Sequence, residues 1–413
     1  MYKFTQFMNS VRLSTLLAVL LLAAVCAVSL IVRIRLLDAS LERDEGEHAY
    51  MARMTLAGNP PWKLAYNMKL PGTDAIYELS FALFGQTVTS IRLGLLIVNT
   101  ATVVLIALLG RRLFGTRAGL AAASCYGVLS FSQKVVGTVA HSTHFVVFFA
   151  VIATLLLLRA GTSPARLFGS GLFYGIAFLM KQPGIAFAVF GAVYIASGCW
   201  RERTPLARAL RGLATFGFGV VLPYALLCLA LWRAGVFERF WYWTVTLARA
   251  YTAQPGHALH LLNLNSRLVA QQNLWIWVLA ALGFFLGCWN RGTRRATIWT
   301  GVLLFFSFAA VSAGADYNPN YFIMMLLHVA LACGAWVASA EEILKAFGHK
   351  DPGFARNLPL LCVAAACLCS VLEQRAYLFS MNSYEFSRTS YGTNPFPEAV
   401  VVADYIRQLM GDN

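Results

Sequence analysis

The stretch Ser14–Val32, STLLAVLLLAAVCAVSLIV, decides the fold class of this chain. It is an uninterrupted apolar block of about 19 residues, close to the roughly 20 that an α-helix needs to cross a bilayer. Lys3 and Arg12 precede it, and Arg33 and Arg35 end it. A cleaved signal peptide has a shorter apolar core of about 7–15 residues, followed by a cleavage site of small residues. We therefore predict a retained first transmembrane helix with its N-terminus inside.

The composition of the whole chain agrees with a membrane protein. Of its 413 residues, 59% are hydrophobic and only 12% are charged, whereas a soluble domain carries about 25% charged residues. The mean hydropathy is +0.63. The apolar residues form blocks too long for one hydrophobic core, which excludes an ordinary soluble enzyme, a disordered chain and a nucleic-acid binder. We predict an all-α, polytopic membrane protein.

About eleven apolar blocks are long enough to be considered as spans, with boundaries uncertain by a few residues. They are 14–32, 88–110, 118–132, 143–158, 167–180, 183–199, 213–232, 274–289, 296–313, 321–338 and 357–372. The block 167–180 is too short for a straight crossing and meets its successor at Lys181-Gln182-Pro183-Gly184. These two blocks therefore indicate helices broken at membrane depth.

The charges predict the topology. The net charge is +15, from 33 Lys+Arg against 18 Asp+Glu. With the N-terminus inside, every inner segment carries arginines or lysines, and its acids are only Glu202, Glu341, Glu342 and Asp351. Because basic loops stay on the inner side, this bias favours an inner N-terminus and an outer C-terminus. We predict a transmembrane core over 1–372, with large outer segments at 33–87 and 233–273, and an outer tail at 373–413.

The first outer segment is rich in carboxylates. Seven of the 18 acids lie there: Asp38, Glu42, Asp44, Glu45, Glu47, Asp74 and Glu78. They are either a solvated polar loop or the source of a general base at the membrane surface. A carboxylate beside the apolar boundary loses hydration, which raises its pKa toward useful base strength.

The same segment continues with a predicted amphipathic helix from Ala49 to Ala57 and a turn at Gly58-Asn59-Pro60-Pro61. Trp62 and Tyr66 suit an interfacial aromatic belt. Lys69 precedes a Pro-Gly turn that opens a second helix. Its ammonium is either a phosphate contact near a helix N-terminus or a lysine that reaches to the lipid headgroups.

These residues resemble the first outer loop of the polyprenyl-phosphate-dependent membrane glycosyltransferases of the GT-C class. The resemblance rests on Asp44-Glu45 after the first helix, the Gly-x-Pro-Pro turn, and the pattern Tyr66-x-x-Lys69-x-Pro. Residues 175–183 are similar to the family's broken-helix lysine motif, and 394–407 resemble the entry to its outer soluble domain. The nearest group is the lipopolysaccharide galacturonosyltransferase-like enzymes; lipid A aminoarabinose transferases and protein O-mannosyltransferases are more distant.

The resemblance implies a role for each matching residue. Asp44 corresponds to the base that activates the acceptor hydroxyl, and Glu45 to an acid that orients the acceptor or a cation. Lys69 corresponds to the lysine that holds the donor phosphate, with Tyr66 before it. Lys181 corresponds to a second lysine facing that phosphate.

Several further positions are candidates or departures. Glu47 is a possible donor or acceptor contact; it stands where aminoarabinose transferases carry an arginine, which argues against that sugar. His141 and His144 follow the third helix and are either donor or acceptor contacts or plain polar groups of a loop. Arg249 belongs to an arginine- and aromatic-rich segment that suits an amphipathic helix on anionic lipid or a phosphate clamp. The relatives' outer domain is represented here only by an expected first helix, Pro397–Met410.

The sequence thus predicts an inverting glycosyltransferase that moves a hexosyl or pentosyl group from a polyprenyl-phosphate donor. The acceptor is a lipid, glycan or protein on the outer face of a membrane, most simply the bacterial inner membrane. Membrane lipids are expected partners and nucleic acid is not; no metal is predicted, and a divalent cation is left open. The alternatives are a transporter of lipid-linked glycans and an inactive accessory subunit of a split transferase.

Overall fold

The computed structural model describes residues 2–250, 255–346 and 352–410, without the side chains of residues 2–12, 255 and 352. Several residues used above therefore lie outside the described part: the side chains of Lys3 and Arg12, residue Asp351 of the charge count, and residues 251–254 of the second outer segment. All regular secondary structure in the described ranges is helical. The all-α class is confirmed.

Eighteen α-helices follow one another in the described ranges. They are α1 (Tyr2–Arg35), α2 (Arg43–Leu56), α3 (Gly72–Phe84), α4 (Val88–Phe114), α5 (Thr116–Leu129), α6 (Ser142–Leu158), α7 (Pro164–Met180), α8 (Ile185–Arg201), α9 (Leu206–Arg233), α10 (Phe237–Trp241), α11 (Ala248–Ala250), α12 (Pro255–Gln271), α13 (Leu274–Trp289), α14 (Arg294–Ser312), α15 (Ile323–Ala346), α16 (Pro352–Glu373), α17 (Ser383–Tyr391) and α18 (Phe396–Met410).

Each of the eleven predicted apolar blocks lies on a helix, namely α1, α4 to α9 and α13 to α16. Seven described helices are long and apolar enough to cross a membrane, and eight if α12 and α13, bent by 98°, form one span. The helices α6 and α7 have 17 residues and α5 has 14, which is short for a crossing. The membrane class is confirmed, whereas the number of about eleven spans stays a prediction.

The core of the bundle lies around α15, which packs against both α5 and α6. In the most apolar part of α15, 83% of the residues are buried. Small side chains such as Ala121, Ala122 and Cys125 fill α5, which is buried along most of its length. Lipid tails are as apolar as the helix surfaces, so the hydrophobic effect does not drive the helices together. Close packing through small residues stabilises such bundles instead. At Gly219 of α9, a Cβ would lie 2.4 Å from the Phe168 carbonyl oxygen of α7.

The first outer segment begins its helix earlier than predicted. We expected a helix from Ala49, but α2 begins at Arg43 because Glu42 and Glu45 form a reciprocal capping box. Carboxylates at these positions satisfy free N–H groups and interact favourably with the helix dipole. As a result, the acids from Asp44 to Glu47 lie on the first turns of a helix rather than in a loop.

The two large outer segments pack against each other. Trp62 is fully buried; its ring meets Phe240 edge-on at 4.9 Å, and its indole N–H donates to the Asn67 carbonyl at 3.0 Å. The interfacial role predicted for Trp62 is therefore wrong, since its partner segment covers it. A guanidinium N–H of Arg239 also donates to the Lys63 carbonyl oxygen at 3.0 Å. The contacts hold the loop before α3 against α10.

The start of the tail packs against the end of α1, whereas its last helix is exposed. Arg35, at the end of α1, donates to the backbone carbonyls of Tyr377, Leu378 and Met381. The predicted helix 397–410 is present as α18, which starts one residue earlier and is exposed over residues 398–410. The start of the tail is therefore tied to the helix that leads into the first outer segment.

Candidate active site

A lysine and two carboxylates form a cluster on the first outer segment. The Lys69 ammonium lies 3.0 Å from Asp44 Oδ1 and 2.8 Å from Glu47 Oε2. Asp44 and Glu47 are three residues apart on α2, so their side chains share one face of the helix. Lys69 lies in the loop just before α3. This helix begins at the Pro71-Gly72 turn, as predicted. The side chains of Lys69 and Asp44 are each 24% exposed, which leaves the cluster accessible.

The charges of the cluster reinforce one another. Burial raises the pKa of the Asp44 carboxyl, but the charge and hydrogen bond of Lys69, with smaller contributions from His141 and His48, together outweigh this effect and hold the pKa well below its usual range. Burial likewise lowers the pKa of Lys69, and Asp44 and Glu47 more than offset it, so that the pKa is raised. An opposite charge within hydrogen-bonding distance favours the ionised form of both partners. Asp44 and Lys69 are therefore both charged at neutral pH.

The broken helix brings a second lysine to this cluster. As predicted, α7 ends at Met180, and a 3₁₀ turn, Gln182–Gly184, separates it from α8. Lys181 at the break is partly buried, and its ammonium lies 3.7 Å above the centre of the Tyr321 ring. Burial lowers the pKa of Lys181 to about 7, a shift that the Lys69 charge adds to and the Asp44 charge opposes. Lys181 therefore lies within electrostatic reach of the cluster.

Close backbone contacts fix the two lysine-bearing segments to each other. The Thr73 hydroxyl donates to the Met180 carbonyl oxygen at 3.1 Å, and the Gln182 amide donates to the Met68 carbonyl oxygen at 2.7 Å. Gly72 lies so near α7 that a Cβ there would be 2.5 Å from the Leu179 carbonyl group. The start of α3 and the end of α7 thus form one rigid junction.

Glu45 lies apart from the Lys69 cluster. It is buried, forms an ion pair with Arg92 of α4, and accepts the Ala140 backbone N–H at 2.7 Å. Its other oxygen lies 3.4 Å from the Glu42 backbone nitrogen, as part of the capping box. Since α2 begins before it, Glu45 points into the bundle and not toward Lys69. Its described contacts position α2; none of them is with the Lys69 cluster.

The two predicted histidines separate in the structure. His141 is buried at the start of α6, with Nδ1 3.8 Å from Glu42 Oε1. Burial lowers the pKa of His141 to about 3, so the ring is neutral. His144 is also buried, and neither ring nitrogen has a hydrogen-bond partner in the described part of the chain. None of its described contacts is with Lys69 or Lys181, so the predicted donor or acceptor contact gains no support.

Asp44 of the cluster and two neighbouring residues, Glu42 and His141, could hold a divalent cation. Ligand atoms of Glu42, Asp44 and His141 all lie within 4.8 Å of one another. The donor set of two carboxylates and a neutral imidazole suits such an ion. The buried Nε2 of His141 also lacks a hydrogen-bond partner among the described residues. The residues therefore fit a cation, although the sequence singled out neither Glu42 nor this grouping.

The two remaining predicted residues, Tyr66 and Arg249, are not part of the cluster. The Tyr66 ring is 48% exposed and stacks on Trp243 with a centroid distance of 5.2 Å, so it links the two outer segments beside Lys69. Arg249 is exposed at the end of α11 and has no hydrogen bond or ion pair with another described residue. The structure does not bring Arg249 into the cluster.

Sequence reasoning missed two parts of the site. The first is the connection between α14 and α15, which supplies Tyr321 and an acid, Asp316, whose charge acts on Lys181. The polar stretch Asp316–Asn320 between two apolar blocks was an available signal. The second is a buried hydrogen-bonded group around His48. Its Nδ1 lies 2.6 Å from Asp74 Oδ1, and its Nε2 lies 3.3 Å from the Ser142 hydroxyl. It joins α2, α3 and α6, and no sequence signal revealed it.

Comparison with known proteins agrees with the predicted resemblance. Residues 69–227 match the family described as dolichyl-phosphate-mannose-protein mannosyltransferase. No curated protein matches the chain in a sequence search. The matched range includes both Lys69 and Lys181.

Solved structures share the fold. The ArnT structure from Cupriavidus metallidurans bound to undecaprenyl phosphate superposes with a TM-score of 0.63 at 15% identity, over 94% of this chain and 80% of that one. The oligosaccharyltransferase AglB from Archaeoglobus fulgidus, in complex with an inhibitory peptide and a dolichol-phosphate, gives 0.59 at 13% identity, over 96% of this chain and 58% of that one. The GT-C-like fold is therefore confirmed.

Proposed function

We propose that this chain, with its GT-C-like fold and its match to the dolichyl-phosphate-mannose-protein mannosyltransferase family, is a membrane glycosyltransferase that uses a polyprenyl-phosphate-linked sugar. The observation that carries the proposal is the Lys69–Asp44 ion pair together with Lys181, whose segment is hydrogen-bonded to the Lys69 segment although more than a hundred residues separate the two lysines. The two solved relatives contain polyprenyl phosphates, which are the kind of lipid that a pair of lysines at a membrane surface would hold.

The lysines bind the donor phosphate and stabilise the leaving group. Lys69 Nζ is held between two carboxylates in the absence of donor, and Lys181 lies over Tyr321. When the phosphate enters, both ammonium groups can direct N–H donors at its oxygens. Their positive charge then stabilises the negative charge that develops on the phosphate as the sugar leaves.

Asp44 accepts the proton of the acceptor hydroxyl. The hydroxyl oxygen attacks the anomeric carbon as its proton passes to the Asp44 carboxylate. The bond from that carbon to the phosphate oxygen breaks, and its electron pair stays on the phosphate. This single displacement inverts the anomeric centre. Once Lys69 also binds the phosphate, its charge lowers the pKa of Asp44 less strongly, and the carboxylate becomes a better base.

Other residues support this arrangement. Glu45, held by Arg92, fixes the first turn of α2 and with it the position of Asp44. A divalent cation held by Glu42, Asp44 and His141 would add positive charge beside the donor phosphate. The proposal extends to a hexosyl or pentosyl group as the sugar, to a lipid, glycan or protein acceptor, and to the outer face of the bacterial inner membrane as the location.

The alternatives from the sequence gain little support. A transporter of lipid-linked glycans places its binding site near the bilayer midplane, whereas Asp44 and Lys69 belong to an outer segment packed on the end of the bundle. An inactive accessory subunit would not need an accessible carboxylate paired with a lysine.

Replacement of Asp44 by asparagine tests the proposal. Since general base catalysis contributes about 10²–10⁴-fold, transfer from a radiolabelled undecaprenyl-phosphate sugar should fall by about this factor in Asp44→Asn. The variant should bind the donor at least as tightly as the natural protein, because a negative charge beside the phosphate is removed. Native mass spectrometry of the purified protein measures the binding.

The matched control is Asp38→Asn. Asp38 lies in the same outer segment, is exposed, and accepts a hydrogen bond from Ser383 at 3.0 Å. This variant should transfer sugar at the normal rate. Undiminished transfer in Asp44→Asn would remove Asp44 from the role of base, and donor binding unaffected by Lys69→Gln would remove the phosphate site.

A further inference from the structure

A basic cavity lies at the end of the bundle opposite the candidate active site. It has a volume of about 540 Å³ and lies between the α6–α7 connection, the end of α8 and the starts of α9 and α14. The helix α8 begins four residues after Lys181 and ends at Arg201. At about 1.5 Å per residue, its 17 residues separate the cavity from the donor lysines by most of the apolar thickness of a membrane.

Four arginines from three helices line this cavity. They are Arg201, Arg208, Arg211 and Arg295, and the acid in the lining is Glu202. None of the four guanidinium groups forms a hydrogen bond or ion pair with another described residue. Like charges brought to one cavity repel one another, and a bound anion would offset this repulsion.

Three other basic residues at this end of the bundle are paired. Arg117, Lys345 and Arg356 all contact the buried carboxylate of Glu341. The rule that inner loops are basic accounts for arginines on this side of the membrane. It does not account for four that converge on one cavity whose lining contains one carboxylate, Glu202.

An apolar groove continues from the cavity between α8 and α9. Its lining includes Ala196, Trp200, Leu206, Leu210 and Leu213, and it shares Cys199, Arg201 and Thr204 with the cavity. Trp200 is 83% exposed and Leu206 is 74% exposed, so this groove is open to its surroundings. Together the cavity and the groove have a cationic end and an apolar end, which complement the anionic headgroup and the apolar chains of a phospholipid.

We propose that this cavity and groove bind an anionic glycerophospholipid, with its phosphate among the four arginines and its acyl chains along the groove between α8 and α9. Arginine can bind two phosphate oxygens at once through its planar fork. Basic cavities between membrane helices on the inner side bind such headgroups. This site is separate from the donor site, and its occupation does not depend on the proposed transfer reaction.

The test compares lipids and variants on the purified full chain in detergent. Native mass spectrometry follows titration with phosphatidylglycerol and with phosphatidylethanolamine of the same acyl chains. We expect phosphatidylglycerol to bind at least tenfold more tightly, and this preference to disappear in the double variant Arg208→Gln/Arg211→Gln. Both side chains are exposed, so the fold should be retained, which thermal unfolding checks.

The matched control is Arg111→Gln/Arg112→Gln. These two arginines are exposed at the end of α4, at the same end of the bundle but outside the cavity. An equal loss of preference in the control would assign the effect to general surface charge and overturn the proposal, as would the absence of any preference. A separate arm adds glycerol phosphate. Competition with the lipid at equal concentration would assign the arginines to a soluble phosphate and overturn the lipid assignment.

Discussion

The two donor lysines have opposite electrostatic environments. Lys69 lies between Asp44 and Glu47, which raise its pKa above the usual range despite burial. Lys181 has an aromatic ring as its nearest partner, and burial lowers its pKa to about 7. Lys69 is therefore charged throughout the physiological range, whereas Lys181 loses its proton at neutral to mildly alkaline pH.

This difference predicts a pH dependence of donor binding. A phosphodiester donor does not titrate near neutral pH and binds the charged form of Lys181. Affinity should therefore be constant below pH about 7 and fall by up to tenfold per pH unit above it, because each binding event must then take up a proton. Lys181→Arg should remove the part of this fall that comes from Lys181, since arginine stays charged. Titration of the donor at several pH values measures the effect.

Controls separate Lys181 from its neighbours. Burial and nearby carboxylates also raise the pKa of Glu42 to about 7. The pH dependence of the natural protein therefore combines the titrations of Glu42 and Lys181, whereas Lys181→Arg leaves only that of Glu42. Lys134→Arg, on a turn outside the cluster, should keep the full pH dependence. An unchanged slope in Lys181→Arg would contradict the prediction.

At the scale of elements, the junction of α3 with α7 decides the site. Gly72 and Thr73 begin α3 directly against Leu179 and Met180. Lys69 precedes one element and Lys181 follows the other, so the distance between the two ammonium groups depends on this contact. The sequence shows both helix ends, through Pro71-Gly72 and Pro183-Gly184, but it contains no sign that they touch.

Substitution of Gly72 by alanine should disturb this junction. The new Cβ would lie 2.5 Å from backbone atoms of Leu179 and 2.7 Å from Met180 Cε, and backbone cannot rotate away. Overpacking of this kind costs about 1–3 kcal/mol, so Gly72→Ala should unfold at lower temperature and bind the donor more weakly. Thermal unfolding and native mass spectrometry measure the two effects.

Gly46→Ala is the matched control. A Cβ at Gly46 would meet nothing within 4 Å, and alanine favours a helix over glycine by about 1 kcal/mol. This variant on α2 should be as stable as the natural protein or more so. If Gly72→Ala unfolded at the same temperature as Gly46→Ala, the junction would not be rigid.

For the whole molecule, the distribution of charge predicts how the bundle sits in the membrane. The candidate active site lies at one end, and the paired cations around Glu341 and the arginine cavity lie at the other. Because basic segments stay inside, we expect the active-site end to face outward. An outer site is also where a lipid-linked donor, rather than a nucleotide sugar, supplies the activated sugar.

Reporter fusions test this orientation. Alkaline phosphatase is active only outside the inner membrane, so a fusion after Gly58, between α2 and α3, should be active. A fusion after Gly161, between α6 and α7, should be inactive, and a fluorescent protein should report the opposite pattern. Activity after Gly161 but not after Gly58 would invert the topology.

The sequence by itself determined the membrane class, the eleven helical blocks, the break at Lys181 and the identity of Asp44 and Lys69 as candidates. The membrane class, the helical blocks and the break follow from apolar length, turn residues and charge, which a linear chain displays directly. The choice of Asp44 among the seven acids came from the resemblance of its loop to a known family. The interfacial position predicted for Trp62 was wrong, because its partner Phe240 lies on α10. The ion pair of Glu45 with Arg92 of α4 was not predicted from the sequence.

Only the tertiary structure decided which groups meet. It placed Lys181 over Tyr321 and against the segment that carries Lys69, left Arg249 outside the Lys69 cluster, and joined His48 to Asp74. It also gathered arginines of α8, α9 and α14 around one cavity. Contacts between residues a hundred or more positions apart depend on how helix surfaces pack, and packing is set by the shapes of many side chains together. No local pattern along the chain contains that information.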